Sequence, residues 1–268
     1  MNQSYIYDIR TSETAMSTLV NFTGVVPPIW ERNICMRDQF RYDEEFVEYI
    51  INKYGHFPSN YEDWIFIYFH VTTSANECAS FNKYGILDLQ ESYKCPESEL
   101  RQFLDERGIR VDISNRTLTY RGREYDITYT RSAPRSGSYE HACWCIGRKF
   151  YYDYTTCGFL SVWESNAYGG GVHYRPEILS DIDRLLGLTL SQDWCKSHKP
   201  YEILAAVQGT DIVYDGNEEN DSKDRIVDYL TRAYNTAFGS PFEEIVLLKN
   251  HVQVAPNRIL EIKPLTCW

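Results

Sequence analysis

The sequence predicts an α+β fold, on three observations. Apolar residues recur at helical spacing in several segments and in short bulky or alternating runs in others. No internal repeat orders these segments into a solenoid or propeller. No Gly-x-Gly-x-x-Gly fingerprint marks the dinucleotide fold of dehydrogenases. The chain has 268 residues and is 43% hydrophobic, with 22 Tyr, 12 Phe and 6 Trp, enough to bury an aromatic core and to exclude general disorder. The longest uncharged apolar run, Trp64 to Val71, is far short of the ~20 residues that span a bilayer, so no membrane partner is expected.

Taken in order, residues 1–40 read as irregular, with Pro27-Pro28 marking a break. Asp43 to Tyr54 carries Phe46, Ile50 and Ile51 at helical spacing and ends at Gly55, so a helical extension is assigned to residues 1–60. Trp64 to Phe69 reads as a buried strand. Ser74-Ala-Asn-Glu77 has the capping-box pattern and predicts about ten residues of helix, stopped by Gly85. Glu97 to Arg107 reads as a helix, Ile109 to Ile113 as a strand, and Thr117 to Tyr129 as a hairpin turning near Gly122. Cys157 to Trp163 reads as a strand. Gly169-Gly-Gly-Val-His-Tyr174 reads as a strand start leading to a helix that opens at Pro176 and ends at Gly187. Tyr201 to Tyr214 is mostly strand, 224–237 a helix, and Phe242 to Leu248 and Ile259 to Ile262 strands.

The eight cysteines form no compact framework, and the first eight residues have no basic start followed by an apolar stretch. Reduced thiols in a cytoplasmic protein are expected. His141-Ala-Cys-Trp-Cys145 lacks zinc spacing, so no metal is expected. Charge is uneven. The formal net charge is −11, yet Arg101 to Lys149 holds ten Lys/Arg against six Asp/Glu, nine of the ten being arginine. Arginine suits forked phosphate contacts, and a solvated hairpin is the bland alternative.

Three segments carry candidate chemistry. Phe69-His-Val-Thr-Thr73 ends a buried strand before a helix start, where His70 and Thr72 can hydrogen-bond ribose hydroxyls. The glycines at 169–171 let backbone approach a flat ligand, with His173 or Tyr174 available to stack on it. Glu243-Glu244 opens a strand apolar on both faces, where carboxylates are costly unless paired or used.

Together these segments resemble the motifs of ADP-ribosyltransferases, in the branch of poly-ADP-ribose polymerases and diphtheria toxin. They are equally similar to bacterial DNA-modifying toxins that share the pattern. His70, Asn76, Gly85 and Ile86 fit the first motif with one extra residue before the glycine. Gly169 to Tyr174 is similar to the Gly-x-Gly-Ile-Tyr-Phe segment, and Glu243-Glu-Ile-Val-Leu-Leu to the last motif. The resemblance implies a split mixed β-sheet core with flanking helices over residues 61–268, with a helix-hairpin insertion at about 97–150.

It further implies NAD as a substrate, without metal. Catalytic roles fall to His70 and to Glu243 or Glu244, and NAD contacts to Thr72, Asn76, Gly171, His173 and Tyr174. Two departures stand out: His173 occupies the place of the ring-stacking tyrosine, and Phe242 replaces the acid or amide of arginine-modifying enzymes. The glutamate would stabilise positive charge developing on the ribose. For the acceptor, the arginine-rich insertion favours nucleic acid, RNA or DNA, through Arg116, Arg121 and Arg123. A toxin or phage-defence role with a neutralising antitoxin protein is expected. A protein-modifying transferase and an inactive binding module of the same fold stay open.

Overall fold

The computed structural model describes residues 5–162, 171–216, 221–239 and 243–265. In chain order it holds β1 (Ile6–Tyr7), α1 (Ser12–Thr23), α2 (Pro27–Asn33), α3 (Asp43–Tyr54) and β2 (Ile65–Ser74). Next come α4 (Ala79–Tyr84), α5 (Leu89–Lys94), α6 (Glu99–Asp105), β3 (Ile109–Asp112), β4 (Thr117–Tyr120), β5 (Arg123–Asp126) and α7 (Tyr139–Tyr151). The remainder comprises β6 (Cys157–Ser161), α8 (Glu177–Leu186), α9 (Leu190–Ser197), β7 (Lys199–Gln208), β8 (Ile212–Val213), α10 (Ser222–Phe238), β9 (Glu244–Leu248) and β10 (Ile259–Pro264). The fold class is α+β, with mixed strand directions.

Two units divide the chain. The first comprises Met1–Phe69, Cys157–Asn166 and Leu204–Leu248, and the second His70–Thr156, Ala167–Ile203 and Lys249–Trp268. Strands β2 and β7 begin in one unit and end in the other.

In the first unit the strand order is β7-β2-β6-β9-β8, with β1 parallel to the start of β2. Strands β6 and β9 are antiparallel and slip register between Phe159 and Ser161, so Ser161 comes to face Glu244. Aromatic residues fill the core. Trp64 and Phe66 lie against Tyr7 at 6.0 and 4.9 Å, and Phe66 meets Tyr229 of α10 at 5.1 Å. Such rings bury roughly 150–250 Å² each, which makes them the main apolar contribution here. The Tyr7 hydroxyl donates to the Tyr229 carbonyl at 2.8 Å, so its polar end is satisfied at full burial. Helix α10 starts on Asp221, whose carboxylate accepts the Lys223 and Asp224 amides.

In the second unit, β3, β4 and β5 form an antiparallel sheet. Cross-strand pairs Val111–Leu118 and Leu118–Tyr125 put one face onto a core shared with α6, α7, α8 and α9. The β4–β5 turn has φ of 50° at Arg121 and 76° at Gly122, the doubly left-handed turn that matches strand twist. Helix α8 buries Ile178, Leu179 and Ile182 and closes on left-handed Gly187, as its spacing predicts.

Four expectations change. Residues 5–40, read as irregular, carry helices: Thr11 and Thr14 form a capping box for α1, and Pro27 and Pro28 start α2 rather than break the chain. The helix expected from Ser74 shrinks to the six residues of α4, because the Ser74 hydroxyl accepts the Asn76 and Cys78 amides while Glu77 and Cys78 turn left-handed. Residues 171–174 form a turn closed by the Tyr174 amide on the Gly171 carbonyl at 2.9 Å, not a strand. Helix α7 occupies the stretch around His141 and Cys145, to which no element was assigned from sequence. Gly169, Gly170, Trp163 and Phe242 lie outside the described residues.

A Cβ on Gly158 of β6 would come 2.4 Å from the buried Tyr68 ring and 2.8 Å from the Phe69 carbonyl oxygen. Gly158→Ala is therefore expected to lower stability by about 1–3 kcal/mol, read as a fall in thermal midpoint. An unchanged midpoint would refute this packing.

Candidate functional site

Glu244 opens β9 in the first unit, on the same face as the buried Val246 and Leu248. Ile245, on the other face, is 40% exposed, so the strand is not apolar-buried on both sides as its composition suggests. Glu244 Oε2 lies 3.0 Å from Arg232 Nη1. Arg232 reaches from α10 and also holds Asp215 at 2.9 Å and Asp228 at 3.0 Å through Nη2. One guanidinium thus serves three carboxylates. Burial pushes the Glu244 carboxyl above its ordinary range; Arg232 pulls it back, and Asp215 and Asp228 push the same way as burial. Among the described residues no hydrogen bond reaches Glu244 Oε1. Glu243 precedes the strand and is exposed.

His70 and Thr72 belong to the second unit and share one face of β2, both half-buried. The Phe81 ring of α4 sits 6.2 Å from the His70 ring. On the opposite face, Thr73 accepts the Trp194 indole N–H at 2.8 Å. The strand then enters a tight network. Glu99, at the start of α6, takes the Ser74 hydroxyl and the Ala75 amide at 2.6 Å each. His198 Nε2 approaches the same carboxylate at 3.4 Å, with its ring stacked on Trp194 at 3.4 Å. Burial raises the Glu99 carboxyl, but the His198, Ser74 and Ala75 hydrogen bonds outweigh it and hold the group below its ordinary value. Asn76 spends its side-chain oxygen on the Ala79 amide at 3.2 Å, so that atom serves the turn before α4.

Gly171, at φ 68°, begins the turn that carries His173 and Tyr174. His173 is buried and Tyr174 is 57% exposed, yet their rings lie 3.8 Å apart because the turn, unlike a strand, puts successive side chains on one side. Burial lowers the His173 imidazole below its ordinary value. The Tyr174 carbonyl accepts Cys195 Sγ at 3.2 Å, while neighbouring Trp194 holds Thr73. Helix α9 therefore brings the 171–174 turn and the polar end of β2 to adjacent residues.

The three acceptor candidates do not form one cluster. Arg116 precedes β4 and Arg121 follows it, roughly 16 Å apart along an extended strand. Each guanidinium lies near tyrosine: Arg116 by Tyr151 at 5.2 Å, Arg121 by Tyr120 at 5.1 Å, Arg123 by Tyr125 at 4.9 Å and Tyr139 at 5.2 Å. A nearby groove of about 920 Å³ is lined instead by Lys94, Arg101 and Arg110 against Asp105, Asp112 and Glu124. Its balanced charge suits no polyanion.

The sequence reading missed Arg232, Asp215 and Asp228, Glu99 with His198, and a pair formed by buried Asp88 and exposed, left-handed His251 at 3.6 Å. Only Asp228 and Arg232, at i and i+4 on a helix, carry a local signal; the other partners are distant in sequence. Among the described residues no three His, Cys, Asp or Glu side chains group as metal ligands, and no helix is long and apolar enough to cross a membrane. No family model, curated protein or solved structure matches the chain.

Because the Glu99 pKa is depressed in the fold, its stabilising contribution is complete above the unfolded value of 4.5 and is lost as pH falls through the lower folded value. Glu99→Gln should cost about 1–3 kcal/mol at neutral pH and flatten the acid limb of the unfolding profile. Parallel wild-type and variant limbs would count against this network.

Proposed function

We propose that this chain is an NAD-dependent mono-ADP-ribosyltransferase with an ADP-ribosyltransferase-like core, acting on a macromolecular acceptor, nucleic acid before protein. The observation that carries the reading is Glu244. A half-buried carboxylate at a strand head, raised by desolvation, anchored through one oxygen and open at the other, has the chemistry needed to accept a ribose hydroxyl and to stabilise positive charge developing on the sugar. Arg232 fixes its orientation, and Asp215 and Asp228 dilute that cation so the carboxylate keeps its negative field.

NAD supplies the electrophilic ADP-ribosyl group; the bond to nicotinamide breaks and the acceptor heteroatom takes its place after losing a proton. His70 and Thr72, side by side on β2, are the candidates to hydrogen-bond the nucleotide sugar. Glu99 acts through the Ser74 hydroxyl and the Ala75 amide and is a positioning residue for that strand end. Tyr174, exposed beside His173, is the better placed ring for stacking on a flat group. Between the two glutamates the assignment goes to Glu244, since exposed Glu243 lacks the desolvated setting. Such an activity in a cell implies a neutralising partner.

The test uses NAD labelled on its adenylate half, a bacterial lysate, and nuclease or protease digestion of the labelled products. Nuclease-sensitive label from the wild type, reduced about a hundredfold or more in Glu244→Gln, is the expected result. Protease-sensitive label would replace the acceptor and keep the reaction. Absence of label with NAD intact would overturn the reading. Because a raised carboxyl pKa means that ionised Glu244 weakens the fold at neutral pH, Glu244→Gln should unfold at an equal or higher temperature while losing activity.

A further inference from the structure

Helix α7 presents two stripes at helical spacing. Ala142, Cys143, Ile146 and Phe150 are buried in the core of the second unit. His141, Trp144 and Arg148 follow one another at three- and four-residue steps on another stripe, and Tyr152 caps the helix just beyond Tyr151; all four are partly or fully exposed. Mid-helix Gly147 brings a further ring to this stripe. A Cβ there would sit 2.0 Å from the Ile127 carbonyl oxygen and 3.2 Å from the Tyr129 amide nitrogen, so only glycine lets the backbone at 127–129 lie against α7.

The result is an ordered row of rings. Tyr129 stacks on Tyr152 at 4.9 Å and 27°, and meets Trp144 at 5.5 Å and 34°. Trp144 stacks on His141 at 5.8 Å and 27°. With ring planes about 3.5 Å apart at contact, these centroid distances mean sideways slips of roughly 3–5 Å, so the rings are shingled and part of each face stays uncovered. The indole N–H of Trp144 donates to the Thr130 carbonyl at 2.7 Å, which fixes its plane. Tyr152 is 56% exposed.

Three arginines stand around the row. Arg148 lies 6.0 Å over Trp144, and Arg131 and Arg135 are exposed on the loop that carries Thr130. Of the nearby carboxylates, Asp153 is paired with Lys149, while Asp126 and Glu140 are exposed and keep their charge. Flat faces accept any base by stacking, and guanidinium groups accept phosphate. A neutral glycan could use the rings but has no use for three guanidinium groups. Duplex ends offer few free base faces.

We infer that the Tyr152–Tyr129–Trp144–His141 row is a binding platform for single-stranded nucleic acid, and that the acceptor of the proposed reaction is held there rather than at Arg116, Arg121 and Arg123. The binding stands on these side chains alone; the acceptor role rests on the transferase reading.

Fluorescence anisotropy of the full chain with end-labelled single-stranded oligothymidylate and oligouridylate, without NAD, tests the platform. Saturable binding of either is expected, with the two arms separating DNA from RNA. Tyr152→Ala should weaken it between about fivefold and a hundredfold. An Arg131→Ala/Arg135→Ala variant should lower the slope of log affinity against log salt by about 1.4. Gly147→Ala should also weaken binding; because it perturbs the helix, Tyr152→Ala on the exposed surface is the deciding variant. No binding, binding of duplex only, or affinity unchanged in Tyr152→Ala overturns the proposal. Bound oligonucleotide with no label transferred from NAD would leave the platform standing and remove the transferase reading instead.

Discussion

Burial of strand β2 is the constraint on which the rest depends. Ile65–Ser74 is almost wholly withdrawn from water, yet it ends in His70, Thr72, Thr73 and Ser74. Its apolar start is accommodated by rings, with Trp64 and Phe66 packed against Tyr7 and Tyr229. Its polar end cannot be treated in that way, because an unpaired buried hydroxyl costs as much as the hydrogen bond it lacks. Thr73 therefore takes the Trp194 indole, and Ser74 takes Glu99. Glu99 in turn needs donors and finds them in the Ala75 amide and His198. One requirement at the end of one strand thus sets the positions of α6 and α9 within the second unit.

The two ionic centres solve different problems. Glu99 is surrounded by donors and held as a carboxylate, a stabilising arrangement. Glu244 shares its cation with Asp215 and Asp228, and burial leaves it harder to ionise. Ionised Glu244 is therefore held at a cost to the fold, whereas ionised Glu99 is held at a gain. Asp88, buried and capping α5, stands beside His251, which lies at the surface with a left-handed backbone.

Aromatic residues also serve two ends. In the first unit Tyr7, Phe22, Trp64, Phe66 and Tyr229 are fully or almost fully buried and meet mostly edge-on or tilted, as rings do in a core. Along α7 the rings overlap at shallow angles with faces partly open and arginine alongside. Geometry, rather than composition, distinguishes the two sets.

Periodicity and turn chemistry determined much by themselves. Helix α3, helix α8 with its Gly187 stop, the hairpin at Gly122, and the strand nature of β2, β6 and β9 follow from patterns within a dozen residues, where local preference and burial agree. The α+β class follows from their mixture. His70 and Thr72 on one strand face and Glu244 at a strand head were legible for the same reason. Only tertiary structure decided the rest. Ser74 gave up its capping-box role because its hydroxyl oxygen accepts the Asn76 and Cys78 amides while its proton goes to Glu99, twenty-five residues on. Residues 171–174 became a turn, which set His173 and Tyr174 on one side. Arg116 was separated from Arg121 by the length of β4, and Tyr129 was joined to Trp144 by a close approach that only Gly147 permits. Partners such as Arg232 for Glu244 and His198 for Glu99 carry no mark in the chain, because long-range pairing is fixed by which surfaces bury together and not by spacing.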